Sequence, residues 1–193
     1  MPAEKAMDIG DQIQSIEGFN SRKKHAVLTE QIIDNISDDE LEQAVLDCLD
    51  FKIKDNYEQA YETISKISSG FRMVYSTWWL EAEINNGGFN QFFWNRGEFA
   101  EEALEGLRLL DATEHIRLME KAIEMFVEEE PQQREYYLQN TVEAFRESYQ
   151  HTKLHLLDEG FYDLPQLSPM RLRYIRRHKE QFVENTSILR RTT

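Results

Sequence analysis

The chain has 193 residues, of which 36 are acidic and 22 are basic, and its formal net charge is −14. A hydrophobic content of 40% is enough for one buried core and, at this length, predicts a single domain. No apolar run is long enough to cross a bilayer and the first residues do not resemble a signal peptide, so we expect a cytoplasmic protein with no membrane contact. The one cysteine, Cys48, excludes an internal disulfide and falls on an apolar helical face, where we expect it to be buried.

The acidic charge is unevenly distributed along the chain. Residues 1–170 hold 34 acidic and 15 basic side chains, whereas residues 171–193 hold 2 acidic and 7 basic ones. A body this negative repels nucleic acid and attracts basic partners. We therefore expect no direct nucleic-acid binding, except through the basic tail.

The first half of the chain predicts an arm followed by helices. Residues 1–25 lack a sustained hydrophobic period and are interpreted as a mobile or loosely docked arm, and residues 26–193 as the helical domain. The run from Ser37 to Glu40 has the pattern of a capping box and predicts a helix start. Apolar residues then recur at helical spacing over 57–67 and over 71–82. An alternating strand over 80–84 is the other interpretation, but three turns of apolar stripe favour a helix.

The second half predicts further helices. A helix is predicted to end near Asp111. Asp111 should cap the next helix, which should end at Pro131, and helical spacing continues over 136–149. After a short element that begins at Leu154, Ser168 and Pro169 predict the start of a last helix. The fold class expected from these patterns is all-α, a single-domain bundle of about seven or eight helices.

A dense aromatic motif surrounds one break between helices. Its members are Trp78, Glu81, Glu83, Asn85, Asn86, Gly87, Gly88 and Phe89. Asparagine and glycine enter left-handed backbone conformations at low cost, so the four consecutive residues should stop a helix and redirect the chain. We expect Trp78, Phe89 and Phe92 to be largely buried around this corner, the asparagine amides to cap helix ends, and the motif as a whole to be structural.

This motif resembles the signature of a bacterial family, mostly of undefined function, whose described members include small acidic DNA-mimic proteins. The resemblance extends loosely over 71–182 and includes two weaker runs, over 157–163 and 174–182. It implies an all-helical acidic protein that occupies the DNA-binding surface of another protein. It implies no catalytic residues.

Two sets of glutamates form candidate partner-binding faces. The first is Glu98, Glu101, Glu102 and Glu105, and the second is Glu114, Glu120, Glu124 and Glu128, extended by Glu129 and Glu130. Successive helical turns repeat every roughly 5.4 Å and phosphates on one DNA strand rise about 3.4 Å, so such carboxylates can imitate phosphates approximately. The alternative is a solvated face kept acidic for solubility. A carboxylate cluster over 128–130 at a predicted helix C-terminus is unfavourable for the helix dipole, which favours a functional role.

Other chemistry finds little support in the sequence. Glu81, Glu83, Asp111, Glu114 and His115 are ligand types, but they lack the spacing of a metal site, so we expect no metal and no cofactor. No nucleophile or phosphate-loop motif is present, so we expect no catalytic residues. The aromatic cluster is better explained by packing in the core than by stacking on nucleic-acid bases. The basic run over 171–179 is better explained as the solvated side of a helix, paired with local carboxylates.

The sequence therefore predicts a non-enzymatic protein that presents carboxylates to the DNA-binding surface of a basic partner, such as a transcription regulator or nucleoid protein. An immunity-type inhibitor of a basic toxin is the alternative. An enzyme with a pocket near Trp78, Glu81 and Asn86 is a third class, and a homodimer is possible.

Overall fold

The computed structural model describes residues 22–54 and 56–183, and their regular secondary structure is entirely helical. The α-helices are α1 (Glu30–Asn35), α2 (Asp38–Ile53), α3 (Ala60–Ile64), α4 (Ser69–Arg96), α5 (Ala100–Leu109), α6 (Thr113–Gln139), α7 (Val142–His151), α8 (Asp158–Tyr162) and α9 (Ser168–Arg177). Single 3₁₀ turns lie at Tyr57–Gln59, Gly97–Phe99, Leu154–Leu157 and Lys179–Gln181. The predicted all-α single domain is confirmed, although two of these nine described helices, α3 and α8, have only five residues. Most of the predicted arm, residues 1–21, lies outside the described residues.

The helix α4 is the centre of the bundle. It contacts α2, α3, α5, α6, α8 and α9, and its buried side chains form much of one continuous hydrophobic cluster. Phe89 and Phe92 are fully buried, and Trp78 is buried over most of its surface, as predicted. Trp78 remains partly exposed because it borders a surface groove. Cys48 is buried, as expected.

The predicted break in the helix is confirmed at two glycines inside α4. Gly87 has φ −161° and ψ 28°, and Gly88 has φ 75° and ψ −178°, so helical geometry stops after Asn86 and resumes at Phe89. Of these, only Gly88 is in the left-handed region. Asn85 and Asn86 are exposed and their side chains make no hydrogen bond within the described residues, so the prediction that their amides cap helix ends is wrong.

The predicted helix starts are close to the observed ones, but the predicted capping bonds are not formed. Ser37 is the N-cap residue of α2, as predicted, but its hydroxyl donates to the Glu40 carboxylate (3.2 Å) and makes no bond to a backbone N–H. The cap predicted at Asp111 is wrong, because Asp111 has φ 55° in the turn after α5 and Ala112 precedes α6. Ser168 is the first residue of α9 and not its cap, and its hydroxyl donates to a glutamate of α2.

The helix α6 is longer than predicted because it continues through Pro131. A proline inside a helix removes one N–H and costs roughly 3 kcal/mol, yet Gln133 is buried and Tyr137 packs on Phe126 in the following turns. The helix ends at Gln139, and Asn140 follows it with φ 47°, so the helical spacing predicted over 136–149 is divided between α6 and α7. Residues 128–130 are therefore inside α6, and the helix-dipole argument for their function no longer applies.

Replacing Gly88 by alanine should lower the free energy of unfolding by about 2 kcal/mol, because an L side chain is strained at φ 75°. A Cβ atom there would also lie 2.2 Å from Asp158 Oδ2. Gly97→Ala is the matched control, since its φ of −56° is helical and the nearest atom to a new Cβ is 3.8 Å away. Urea unfolding followed by circular dichroism measures both variants, and equal midpoints for the two would contradict the assignment.

Candidate functional site

Glu81 of the aromatic motif belongs to a buried ion network that joins three helices. The guanidinium of Arg171, which is 1% exposed, donates to Glu81 Oε2 (2.7 Å), to the Thr77 carbonyl oxygen (3.3 Å) and to the carboxylate of Glu42. Glu81 Oε1 accepts from the backbone N–H of Leu167 (2.7 Å). The network fixes α9 against α2 and α4, and it leaves neither oxygen of Glu81 free of a protein partner. The prediction of a solvated side is wrong for Arg171.

The rest of the basic run is also partly neutralised within the fold. Arg176 donates to Asp38 (2.6 Å) and to two backbone carbonyls at the end of α1, and Lys179 pairs with Asp34. Two arginines of α9 are exposed without such a pair in the described part of the chain, namely Arg173 and Arg177. Much of the positive charge over 171–179 is therefore used to hold the N-terminal helices.

Glu83 connects the two halves of α4 across the glycine break. Its Oε2 accepts from Gln91 Nε2 (2.7 Å) and from Asn95 Nδ2 (2.9 Å), both of which follow the break. The held Gln91 side chain lies where a side chain on Gly87 would begin, 2.1 Å from an ideal Cβ. Glu83 is buried, and its carboxylate is occupied by these contacts.

Two backbone groups released by the break are bonded by side chains of α8, and a tyrosine of α7 supports one of these side chains. The Phe89 N–H donates to Asp158 Oδ1 (2.9 Å), so that Asp158 caps the second half of α4. Tyr149 donates to Asp158 Oδ2 (3.1 Å), and the Tyr162 hydroxyl donates to the carbonyl oxygen of Ile84 (3.1 Å). Sequence reasoning missed these partners, and the only signal was the weak run over 157–163 in the resemblance.

The residues considered as metal ligands do not gather at one place. Glu81 and Glu83 are engaged as described, Asp111 and Glu114 are exposed, and His115 is buried in the core. Burial lowers the pKa of His115 below its ordinary value of 6.5. Within the described ranges, no group of three histidine, cysteine, aspartate or glutamate side chains is arranged to hold a metal ion.

The glutamates predicted to bind a partner divide into two groups. Some have internal partners: Glu114 pairs with Arg117 (3.2 Å), Glu120 pairs with Arg108 (3.0 Å), and the partly buried Glu102 accepts from the Tyr61 hydroxyl. The others are exposed and have no ion pair or side-chain hydrogen bond within residues 22–54 and 56–183: Glu98, Glu101, Glu105, Glu124 and Glu128. We call these five residues the acidic surface.

The acidic surface lies on three consecutive elements of the bundle. Glu98 is in the 3₁₀ turn that precedes α5, Glu101 and Glu105 are on α5, and Glu124 and Glu128 are on α6. The ion pair between Arg108 and Glu120 joins the exposed sides of α5 and α6. Glu129 and Glu130, which follow Glu128 in α6, have partners inside the fold. Glu129 accepts from Thr152 and from the N–H of Lys153, and Glu130 lies 3.9 Å from Arg134.

A groove of about 430 Å³ lies between α2 and α4. We call it the tryptophan groove, and its main lining residues are Leu46, Leu49, Tyr75, Trp78, Trp79 and Arg96. Neither Glu81 nor Asn86 lines it, so the pocket considered for an enzyme is not assembled from the three residues that were predicted for it. No helix in the part of the chain that the structure describes is long and apolar enough to span a membrane.

The described residues thus form an all-helical protein with a buried ion network and an unpaired acidic surface. Residues 65–178, more than half of the chain, match the family model of DMP19-like proteins. The chain belongs to the DMP19-like protein family. The matched segment includes α4 to α9, and therefore the whole acidic surface as well as the contacts of Glu81 and Glu83. No curated protein and no solved structure gives a significant match.

Replacing Arg171 by methionine should lower the free energy of unfolding by about 3–5 kcal/mol, because Glu81 and Glu42 would keep their charges without a buried partner. Arg173→Met on the same helix is the control. Its side chain is exposed and unpaired in the described residues, so the change should stay within about 0.5 kcal/mol. Chemical unfolding measures both, and a similar small loss in the two variants would show that the network contributes little.

Stability should depend on pH through Asp158. Burial raises its folded pKa above the ordinary value of 3.8, so the folded state holds this proton more tightly than the unfolded state does. The stability that this group contributes is therefore lost as pH rises from about 3.8 through the raised pKa. Asp158→Asn cannot titrate but keeps an acceptor for the Phe89 N–H.

As pH rises from about 3.5 to 7, the free energy of unfolding of the wild type should therefore decrease relative to that of Asp158→Asn. Urea titrations at several pH values measure this difference. Asp163→Asn, at an exposed aspartate just after α8, corrects for the loss of one negative charge. A difference that increases in favour of wild type with pH would show that hydrogen bonding outweighs burial at Asp158.

Proposed function

We propose that this protein is a non-enzymatic, DNA-mimic type binding protein. It presents carboxylates to the DNA-binding surface of a basic partner such as a transcription regulator or nucleoid protein. The observation that supports this most directly is the acidic surface on α5, α6 and the 3₁₀ turn before α5, whose five glutamates have no ion pair or side-chain hydrogen bond in the described chain. Membership of the DMP19-like family supports the same proposal.

The acidic surface differs from the other carboxylates of the fold because its side chains hold no helix in place. The buried or half-buried carboxylates of Glu42, Glu81, Glu83 and Asp158 all accept hydrogen bonds that fix helices. The acidic surface has no such structural task. Its i,i+4 pairs of like charge each cost roughly 0.2–0.5 kcal/mol, so helix stability does not account for them. A function that needs a dense negative charge does account for them.

The spacing of the acidic surface suits a phosphate row approximately. Glu101 and Glu105 are four residues apart on α5, as are Glu124 and Glu128 on α6. Four residues advance a helix by about 6 Å, which is of the same order as the separation between successive backbone phosphates. Two adjacent helices carry these pairs, so the surface can present carboxylates in two rows.

The test is competition between this protein and DNA. A basic DNA-binding protein captured from the host lysate at low salt is purified and mixed with its DNA, and this protein is added in increasing amounts in a mobility-shift assay. We expect the partner to be displaced from the DNA and this protein alone to leave the duplex unshifted, because a polyanion is repelled by a chain of net charge −14.

A charge-reversed variant locates the competing surface. Replacing Glu101, Glu105, Glu124 and Glu128 by lysine should slow association with the partner at least about tenfold and remove most of the salt dependence. The matched control changes the net charge equally by reversing four exposed acidic residues on α7, on α8 and just after α8: Glu143, Glu147, Glu159 and Asp163.

Equal effects of the two variants would mean that only the total charge matters. A ternary complex that persists at saturation would exclude competition at the DNA site. Displacement of a nuclease-type toxin, and of no transcription or nucleoid protein, would favour the immunity-type alternative.

A further inference from the structure

The tryptophan groove combines a large aromatic surface with partial exposure. Trp78 and Trp79 are both half-buried, with ring centroids 5.0 Å apart and planes at 88°. The guanidinium carbon of Arg96 lies 4.0 Å from the Trp79 ring and so covers one side of it. Tryptophan, tyrosine and arginine are the side chains that most often dominate protein interfaces when they line a pocket.

Two buried donors in this groove have no hydrogen-bond acceptor among the described residues. Tyr75 is 2% exposed; its hydroxyl oxygen accepts from the Trp79 indole N–H, but its own proton finds no acceptor among the described residues. Arg96 Nε is buried as well, and its nearest carboxylate oxygen, Glu83 Oε1, is 3.9 Å away, beyond hydrogen-bond distance. Buried polar groups in native proteins are nearly always hydrogen-bonded, so two unsatisfied donors that line one groove indicate that an acceptor belongs there.

The charges around the groove restrict the chemistry of that acceptor. Burial raises the pKa of Tyr75 above its ordinary value of 10, Arg96 and a hydrogen bond from Trp79 lower it, and the carboxylates of Asp50 and Glu98 raise it. The phenol therefore keeps its proton at neutral pH and acts as a donor. The two carboxylates outnumber the one guanidinium that acts on Tyr75, so the groove disfavours an anionic ligand and favours a neutral carbonyl oxygen with basic groups nearby.

We propose that the tryptophan groove binds a short segment of the partner protein in which an apolar side chain is flanked by lysine or arginine. The apolar side chain packs on Trp78, Leu46 and Leu49, and a backbone carbonyl oxygen of the segment accepts from the Tyr75 hydroxyl. This inference rests on the proposed function, because Glu98 belongs both to the acidic surface and to the surroundings of Tyr75. One basic partner can therefore contact both.

The probes are three capped tripeptides, added to protein labelled with 5-fluorotryptophan and observed by fluorine NMR. The first has leucine between two arginines, the second has serine between two arginines, and the third has leucine between two glutamates. We expect the first to shift the Trp78 and Trp79 resonances saturably, with at least about fivefold tighter binding than either control. Trp94 packs on Tyr137 and Phe145, and its resonance should not move. No saturable shift, or equal binding of all three peptides, would overturn the proposal.

Tyr75→Phe separates a binding role from a structural one. The variant loses a hydroxyl that accepts from Trp79 and has no acceptor for its own proton among the described residues. We expect the thermal midpoint to change by no more than a few degrees, while binding of the first peptide weakens about fivefold. A large fall in the midpoint would show that the hydroxyl is structural, and unchanged binding would show that no carbonyl oxygen accepts from it; either result overturns the proposal. The peptide assay contains neither DNA nor partner, so its failure is distinguishable from a failure of competition.

Discussion

The capped break in α4 is the constraint on which the rest of the structure depends. A buried helix that stops at Gly87 and Gly88 releases backbone donors and acceptors that water cannot reach, and such groups must find partners inside the protein. Asp158 and Tyr162 supply them, which obliges α8 to lie against the break. Glycine is therefore required at position 88 for a second reason besides its left-handed φ, because only a residue without a side chain leaves room for the Asp158 carboxylate. The redirected aromatic segment continues into the 3₁₀ turn that leads to α5.

A second set of contacts, the buried ion network around Arg171, also holds α4 in place. It shares α4 with the break, since Glu81 lies less than two turns before Gly87, and it fixes the N-terminal helix α2 and the last helix α9 to the same helix. A buried ion pair is weak support for stability as such, because desolvation offsets most of its attraction. Its effect here is on geometry, since three helices have to meet at one guanidinium. The carboxylates are consequently divided between those that hold the fold and those that remain on α5 and α6.

Sequence periodicity predicts those features of the fold that neighbouring residues determine. It does not predict contacts between residues that are far apart in the chain. The all-α class, the break at Gly88 and the burial of Phe89 and Phe92 follow from apolar spacing and backbone freedom, which neighbouring residues determine. The burial of Arg171 could not be predicted, because its partners Glu42 and Glu81 lie 129 and 90 residues away. Pro131 was taken as a helix end because its local cost is large, whereas packing of the following turn outweighs that cost. Of the candidate glutamates, spacing identified an exposed face, but only the structure shows that arginines neutralise Glu114 and Glu120.

The acidic surface and the tryptophan groove would act on different stages of binding. Exposed charge accelerates encounter and orients a basic partner, but each exposed pair contributes roughly 0–1 kcal/mol and is screened by salt. Slow dissociation requires desolvated contacts, which aromatic pockets provide. Both features lie on helices that the capped break and the Arg171 network hold in place, so little freedom remains to be lost when a partner binds. A protein that imitates DNA by charge alone would bind basic proteins in general, and a groove that needs one apolar side chain at a fixed distance from the carboxylates restricts that choice.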